Sequence, residues 1–261
     1  MALVDTHCHL DFNAFDNDRI EVLQRAQQAG LKRIVNPGID VDNSQAILRL
    51  CETHSEIYAA VGVHPNSALT WNHATLSRLR QLTHHSKVVA IGEIGLDFYR
   101  DRAPKDLQIR IFREQLGLAG ELELPVIVHS RQAESDTLDI LSEWITQRRE
   151  ASSAPGVLHS YGGDEHGAQR AISLGFYLGI TGPVTFRNAT QLQRMVTELP
   201  LTSLLLETDA PFLTPHPHCG ERNEPAYVRL VAEKIAVLKE QTNEEIMELT
   251  TANAERLFQW S

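Results

Sequence analysis

Cysteine is scarce in this chain, and the few cysteines fit no recognisable motif. Only Cys8, Cys51 and Cys219 occur among 261 residues, and no two of them form a CxxC pair. A disulfide framework needs an even set of cysteines, and a cysteine-based structural zinc site needs closely spaced thiolates. The sequence therefore indicates neither.

Long apolar runs and targeting patterns are also missing. No run reaches the roughly 18 apolar residues that a membrane-spanning helix needs. Met1 is followed directly by a short strand-like run, without the charged and apolar regions of a secretory signal. No repeat, low-complexity tract or linker interrupts the chain. We therefore expect a cytoplasmic protein with no membrane association, no evident obligate protein partner, and a single domain over residues 1–261.

Positive charge is in deficit. The chain has 24 basic and 34 acidic residues, which gives a formal net charge of −10. This balance argues against extended, nonspecific coating of nucleic acid, which depends on many Lys and Arg contacts to phosphate. It does not exclude an anionic substrate held at a metal site, where the ions are the largest local charges.

Short apolar runs recur along the sequence, and helix-like amphipathic segments lie between them. Such runs, with little polar alternation, are typical of parallel strands that are buried on both faces. We predict eight strands, at residues 2–7, 32–38, 57–65, 88–95, 125–130, 156–160, 176–182 and 203–211.

The intervening segments show helical spacing. Ile20, Leu23 and Ala26 mark the first helix, which Gly30 is expected to end. Eight strand–helix units in a chain of this length predict a single α/β (β/α)₈ TIM barrel, with its active site at the carboxyl ends of the strands. The alternative is an open doubly wound sheet, but its usual Gly-rich first turn is replaced here by His-Cys-His.

Residues that can bind metal fall at the predicted carboxyl ends of the strands. In a barrel these ends converge on one rim. Imidazole and carboxylate together suit Zn²⁺, Mn²⁺ or Fe²⁺ and, with enough oxygen ligands, Mg²⁺. The candidate ligands are His7, His9, Glu93, His129, His159 and Asp209.

The first motif, VDTHCHLDF, contributes two of these ligands. Residues two apart on a strand point to the same face, so His7 and His9 can both face the barrel axis while Cys8 points away into a buried position. Asp5 shares the face of His7 and is expected to orient an imidazole. Taken singly, Glu93 and Asp209 have an ordinary alternative as capping residues of a loop or turn.

Six protein ligands are more than one catalytic zinc takes. Two divalent ions about 3.5–4 Å apart would use them all, with the Glu93 carboxylate as the bridge. A metal-activated water would then be the nucleophile, and Asp209 the general base.

Three rim residues are candidate substrate contacts. His64 ends the third predicted strand and could bind a phosphate oxygen or donate a proton. Arg131 and Arg222 could grip phosphate through a charge-assisted pair of hydrogen bonds. The alternatives are a polar strand end for His64 and surface salt bridges for the two arginines.

Several motifs resemble those of the TatD family of metal-dependent deoxyribonucleases, a branch of the amidohydrolase-like barrels. The resemblance covers essentially the whole chain and is carried by DTHCHLDF, GEIGLDFY, PVIVHSR, LHSY, LLLETDAPFL and RNEPAYV. It implies the same six metal ligands and divalent-metal-dependent hydrolysis of DNA, often as a 3′ to 5′ exonuclease. The segment SYGGD (160–164) departs from the family pattern, which leaves the substrate contacts of that loop open.

The resemblance does not fix the substrate, because some relatives are implicated in removing D-amino acids from tRNA. DNA ends or another phosphate or ester substrate are the expected partners. The second hypothesis is therefore an ester or amide hydrolase of the same superfamily, such as a D-aminoacyl-tRNA deacylase. The third is a metal-binding protein without turnover, which the completeness of the ligand set disfavours.

Overall fold

The computed structural model describes residues 2–147 and 154–260. Eight parallel strands form one sheet in the order of the chain. They are β1 (Leu3–Asp5), β2 (Leu31–Pro37), β3 (Ile57–Val61), β4 (Val88–Asp97), β5 (Val126–Arg131), β6 (Gly156–Leu158), β7 (Tyr177–Ile180) and β8 (Leu204–Leu206).

Helices alternate with these strands. They are α1 (Arg19–Gln28), α2 (Val41–Thr53), α3 (Thr75–Leu82), α4 (Lys105–Leu122), α5 (Glu134–Gln147), α6 (Glu165–Ser173), α7 (Thr190–Glu198), α8 (Val228–Lys239) and α9 (Asn243–Phe258). Short 3₁₀ segments lie at Asn13–Phe15, Pro65–Thr70, Gly182–Thr185, Leu201–Ser203 and Pro225–Tyr227. Gly30, predicted to end the first helix, has a φ of 97°, which glycine adopts without steric cost.

Backbone hydrogen bonds join the last strand to the first. The amide of Thr6 donates to the carbonyl of Leu206 at 3.0 Å, and the amide of His9 donates to that of Ala210 at 2.8 Å. Cys8 and Ala210 form a parallel bridge. The predicted (β/α)₈ barrel is thereby confirmed, and the open-sheet alternative is wrong.

The barrel interior is a packed core. One buried apolar cluster takes a side chain from every strand, from Val4 on β1 to Leu205 on β8, which only the inside of a closed barrel brings together. Helix α9 contributes Leu257 and Phe258 to this cluster. The Trp260 ring lies 5.2 Å from that of Tyr58, close to the start of β3, so this tail covers the amino-terminal end of the barrel.

Most predicted strands run too far. Regular pairing on β1 stops at Asp5 and on β8 at Leu206, so His7, His9 and Asp209 lie just beyond the strands rather than within them. Glu93 was expected at the end of its strand, yet β4 continues to Asp97. The pairing of β4 with β5 is irregular between Ile91 and Ile94, and such irregularities re-aim side chains.

Residues 1, 148–153 and 261 lie outside the described residues, so the single domain over 1–261 remains a prediction. Within residues 2–147 and 154–260, no helix is both long and apolar enough to cross a membrane.

Candidate metal centre

The six candidate ligands come together at the carboxyl end of the barrel. Glu93 is at the centre, with 2% of its surface exposed, and both of its oxygens face imidazoles. Oε2 lies 3.4 Å from His7 Nε2 and 3.7 Å from His9 Nε2. Oε1 lies 2.9 Å from His129 Nδ1 and 3.0 Å from His159 Nε2. One carboxylate therefore separates two pairs of histidines.

Asp209 lies beside the pair formed by His7 and His9. Its Oδ1 lies 3.7 Å from Nε2 of both His7 and His9. The residue has a φ of 54°, in the left-handed region that a non-glycine residue rarely adopts. Its side chain keeps 14% of its surface exposed, against 3% for Glu93, so Asp209 is the carboxylate of the centre that a substrate can reach.

The ring nitrogens of the histidines converge on one another beside Glu93. Nε2 of His7 and Nε2 of His9 are only 3.3 Å apart, and Nδ1 of His129 lies 3.2 Å from Nε2 of His159. Converging ring nitrogens beside a buried carboxylate fit a shared cation. Three residue groups that include His7, His9, Glu93, His129, His159 and Asp209, together with His64, have the geometry to hold an ion.

The charge balance also fits bound cations. Among the described residues, the ion-pair partners of Glu93 and Asp209 are all imidazoles, with no Lys or Arg. Burial opposes ionisation of Glu93, but the surrounding histidines, His159 foremost, hold its pKa well below the usual value. Burial raises the pKa of Asp209. Divalent ions would offset the buried negative charge that the imidazoles offset here.

Asp97 supports His129 from behind. Its Oδ2 lies 3.4 Å from Nε2 of His129, on the side of the ring opposite Glu93. Asp97 also accepts hydrogen bonds from the Asn66 side chain and from the amides of Tyr99 and Arg100. A carboxylate behind a ligating histidine fixes the orientation of the ring. Asp97 thus links the metal centre to the β4–α4 loop.

Glu207 is a buried carboxylate that the sequence analysis missed. It is fully buried, and its Oε2 lies 3.8 Å from Nδ1 of His159 and accepts the Ser160 amide at 2.8 Å. Burial raises the pKa of Glu207 to about 7. A charged residue inside the run LLLETD, predicted to be buried on both faces, was the available signal.

The expectation for Asp5 was wrong in detail. Its Oδ1 accepts the His7 backbone amide at 3.3 Å and the Thr208 amide at 2.9 Å, so it ties β1 to β8 rather than orienting an imidazole. Nδ1 of His7 is buried without a hydrogen-bond partner among the described residues. Cys8, as expected, is fully buried, in the cluster between the barrel and its helices.

His64 lies at the edge of the centre with its ring proton fixed. Its Nδ1 accepts the Asn66 amide at 3.0 Å, so the neutral ring carries its proton on Nε2, which lies 3.4 Å from Glu93 Oε1. Burial lowers the pKa of His64 and favours this neutral form. A protonated Nε2 is a donor, so His64 suits a hydrogen bond to substrate better than metal ligation.

The two arginine candidates differ. Arg222 forms two hydrogen bonds of 2.7 Å with Asp18, so the structure favours the surface ion pair there. Arg131 lies exposed over the ring of Tyr99, with its guanidinium carbon 4.2 Å from the ring centroid. No ion pair of Arg131 occurs within the described part of the chain, which leaves its charge available.

Comparison with known proteins shows which family has this architecture. The model of the family described as TatD related DNase matches residues 4–259. The chain belongs to the TatD-related DNase family. YabD, a metal-dependent hydrolase of Bacillus subtilis, is 45% identical over 256 residues, which are 98% of each chain. The crystal structure of the TatD homologue YjjV of Escherichia coli has a TM-score of 0.92 at 35% identity and covers 98% of both chains.

A more distant relative has the same fold. The crystal structure of a TatD-family hydrolase from Entamoeba histolytica has a TM-score of 0.88 at 22% identity, over 99% of this chain and 98% of that one. YjjV itself, also a metal-dependent hydrolase, is 36% identical over 257 residues, 98% of this chain and 97% of its own. The barrel therefore extends across relatives that share few residues with this chain.

Proposed function

We propose that this TatD-family member is a two-metal phosphodiesterase that hydrolyses DNA from its ends, as a 3′ to 5′ exonuclease. The observation that carries the proposal is Glu93, whose Oε2 faces His7 and His9 and whose Oε1 faces His129 and His159, with His64 beside Oε1. A carboxylate in that position suits a bridge between two cations, since it supplies one anionic oxygen to each. The family description, a DNase, supports DNA as the substrate.

Each side of Glu93 would hold one ion. The side near Oε2 has His7, His9 and Asp209, and the side near Oε1 has His129 and His159. Mg²⁺, Mn²⁺ and Zn²⁺ are all compatible with this mixed nitrogen and oxygen set. Bound ions would supply Lewis-acid activation of the scissile phosphate and of the attacking water.

The protein groups have distinct tasks in this proposal. Asp209, the more exposed carboxylate, accepts the proton of the attacking water. His64 donates from Nε2 to a phosphate oxygen or to the leaving group. Arg131 binds a phosphate of the substrate at the rim. A guanidinium binds phosphate most strongly through two parallel hydrogen bonds. Arg222 remains a weaker candidate, because Asp18 already occupies its guanidinium.

The test is turnover by purified protein that has been stripped with a chelator and reloaded with Mg²⁺, Mn²⁺ or Zn²⁺. Substrates are single-stranded DNA labelled at its 3′ end and D-aminoacyl-tRNA. We expect release of labelled mononucleotide, which Glu93→Ala and Asp209→Ala abolish. The control Asp139→Asn alters an exposed carboxylate that pairs with Arg170, and should leave turnover unchanged.

Two results would contradict the proposal. Cleavage of DNA that survives both Glu93→Ala and Asp209→Ala would come from a contaminant or from another site. Hydrolysis of D-aminoacyl-tRNA with no action on DNA would assign the chain to the deacylase alternative.

A further inference from the structure

Unpaired positive charge is concentrated on one side of the barrel mouth. Arg100 and Arg102 are exposed on the loop that leads from β4 into α4, Lys105 is exposed at the first position of α4, and Arg131 is exposed at the end of β5. None of the four has a carboxylate within ion-pair distance in residues 2–147 and 154–260, although Asp101 is exposed in the same loop and Asp106 in the first turn of α4. In a chain with a net charge of −10, such a group invites an anionic ligand.

Elsewhere on the mouth, Arg187 in the loop after β7 is the one other exposed cation without an ion pair among the described residues, and the cations on the β8 and β1 side are paired. There Arg19 pairs with Asp16 at 2.8 Å, and Arg222 pairs with Asp18 at 2.7 Å. The rim is therefore electrostatically uneven, with four available cations on the β4 and β5 side against Arg187 on the β7 side. A polyanion that enters the metal centre would lie along the β4 and β5 side.

An aromatic platform stands among these cations. The Tyr99 ring has 54% of its surface exposed and carries the Arg131 guanidinium 4.2 Å above its centroid. Lys105 lies in the same way over Phe98, with its ammonium 4.3 Å from the ring centroid. Phe98 is half-buried, so Tyr99 is the exposed ring of the pair. Exposed aromatic rings beside cations are the pattern by which proteins bind single-stranded nucleic acid, since bases stack on the rings and phosphates meet the cations.

The platform is connected to the metal centre. Arg131 is the register partner of Asp97, two residues beyond the pairing of His129 with Gly95, which is roughly 7 Å along a strand. Asp97 faces His129 and also accepts the Tyr99 amide at 3.0 Å. The platform is thus held by the same carboxylate that supports a candidate metal ligand.

We propose that Tyr99, Arg100, Arg102, Lys105 and Arg131, the rim cluster, bind single-stranded DNA next to the scissile phosphate. The base of a neighbouring nucleotide stacks on the Tyr99–Arg131 pair, and the other cations contact the phosphates that follow. The choice of DNA rests on the function proposed above. Duplex DNA fits less well, because its bases are already stacked and paired.

Binding can be measured separately from cleavage. Fluorescence anisotropy of a labelled oligothymidylate of about 12 nucleotides, with the full chain in excess chelator, reports affinity without turnover. We expect Tyr99→Ala to weaken binding between about 5-fold and 150-fold, the range for loss of one stacked base, while Tyr99→Phe stays close to wild type.

Contacts between the cations and phosphates are measured by the salt dependence of binding. Each of Arg102→Gln and Lys105→Gln should lower the slope of log affinity against log salt by about 0.7, the value for one phosphate contact on a single strand. The matched control is Arg49→Gln, which removes an exposed cation from α2 that has no ion pair in the described ranges. It should change neither the affinity nor the slope.

Failure of this proposal differs from failure of the proposed function. The rim cluster would be overturned if the wild type did not bind oligothymidylate, or if Tyr99→Ala and Arg131→Gln bound it as tightly as the wild type. Tighter binding to a blunt duplex or to oligouridylate would also overturn it. Binding that responds to these variants, without any cleavage after metal loading, would leave the rim cluster standing and sink the exonuclease alone.

Discussion

Replacing Glu207 by glutamine should weaken metal binding and, at the same time, stabilise the metal-free protein at alkaline pH. Glutamine keeps the shape of the side chain and can still accept the Ser160 amide, while its amide group faces the hydroxyl of Thr6, which now lies 3.3 Å from Oε1. What is lost is the negative charge 3.8 Å from Nδ1 of His159.

The loss of metal affinity follows from that position. Removing a hydrogen-bonded partner behind a ligating histidine typically costs 10- to 100-fold in affinity; Glu207 lies beyond hydrogen-bond distance of His159 and acts through its charge, so we expect the lower end, about 10-fold or about 1.4 kcal/mol. The assay is a competition titration of Mn²⁺ or Zn²⁺ against a chelating indicator. Gly179→Ala provides a second route to the same effect, since its added carbon would lie 2.2 Å from the carboxyl carbon of Glu207.

The stability of the metal-free protein should move in the other direction. Burial raises the pKa of Glu207 from 4.5 to about 7, so the unfolded state holds the charge more readily and stability falls as pH rises through that range. Glutamine removes this cost, which is at most about 3 kcal/mol. Urea unfolding in chelator should show a gain for Glu207→Gln at pH 8 and little gain at pH 4. Metal affinity within twofold of wild type, or a gain that does not depend on pH, would refute this role of Glu207.

Three further substitutions test other parts of the structure. Gly95→Ala should lower the free energy of unfolding in urea by about 2–4 kcal/mol and impair turnover, because φ is 138° and the new carbon would lie 2.0 Å from a carbonyl oxygen of β5. Its control is Gly117→Ala, which should not destabilise the protein because nothing lies within 4 Å of the added carbon. Phe258→Ala should lower stability by about 3–5 kcal/mol through a cavity at the barrel floor and leave metal affinity intact, which thermal unfolding and the indicator titration check together. Asp18→Asn should cost about 0.5–1 kcal/mol at pH 7, and the difference should shrink as pH falls from 3.8 towards about 2, because the Arg222 pair lowers the pKa of Asp18 to about 2. Equal unfolding curves for Gly95→Ala and Gly117→Ala would contradict the steric role of Gly95. A loss of metal affinity in Phe258→Ala would contradict its purely structural role, and a cost of Asp18→Asn that is constant with pH would contradict the ion pair with Arg222.

The barrel and the meeting of the six candidate ligands could be predicted because both depend on topology. Parallel strands with apolar runs must be covered on both faces, and their carboxyl ends then share a rim. Strand ends were predicted less well. The predicted strands continued to the site residues His7 and Asp209, whereas the regular hydrogen bonding between strands stops before them.

Other features depend on contacts between distant parts of the chain. The orientation of His64 depends on one backbone hydrogen bond from Asn66, and the backing of His159 by Glu207 joins two loops that are nearly 50 residues apart. No periodicity encodes either. The role of α9 as a floor to the barrel was missed for the same reason, because an amphipathic helix does not state which surface it covers.

The central claim, a pair of divalent ions bridged by Glu93, is tested most directly by anomalous diffraction from crystals of the Mn²⁺-loaded protein. The account predicts two anomalous peaks about 3.5–4 Å apart, one beside Oε2 with His7 and His9 and one beside Oε1 with His129 and His159. A single peak, or two peaks that do not share the Glu93 carboxylate, would contradict it.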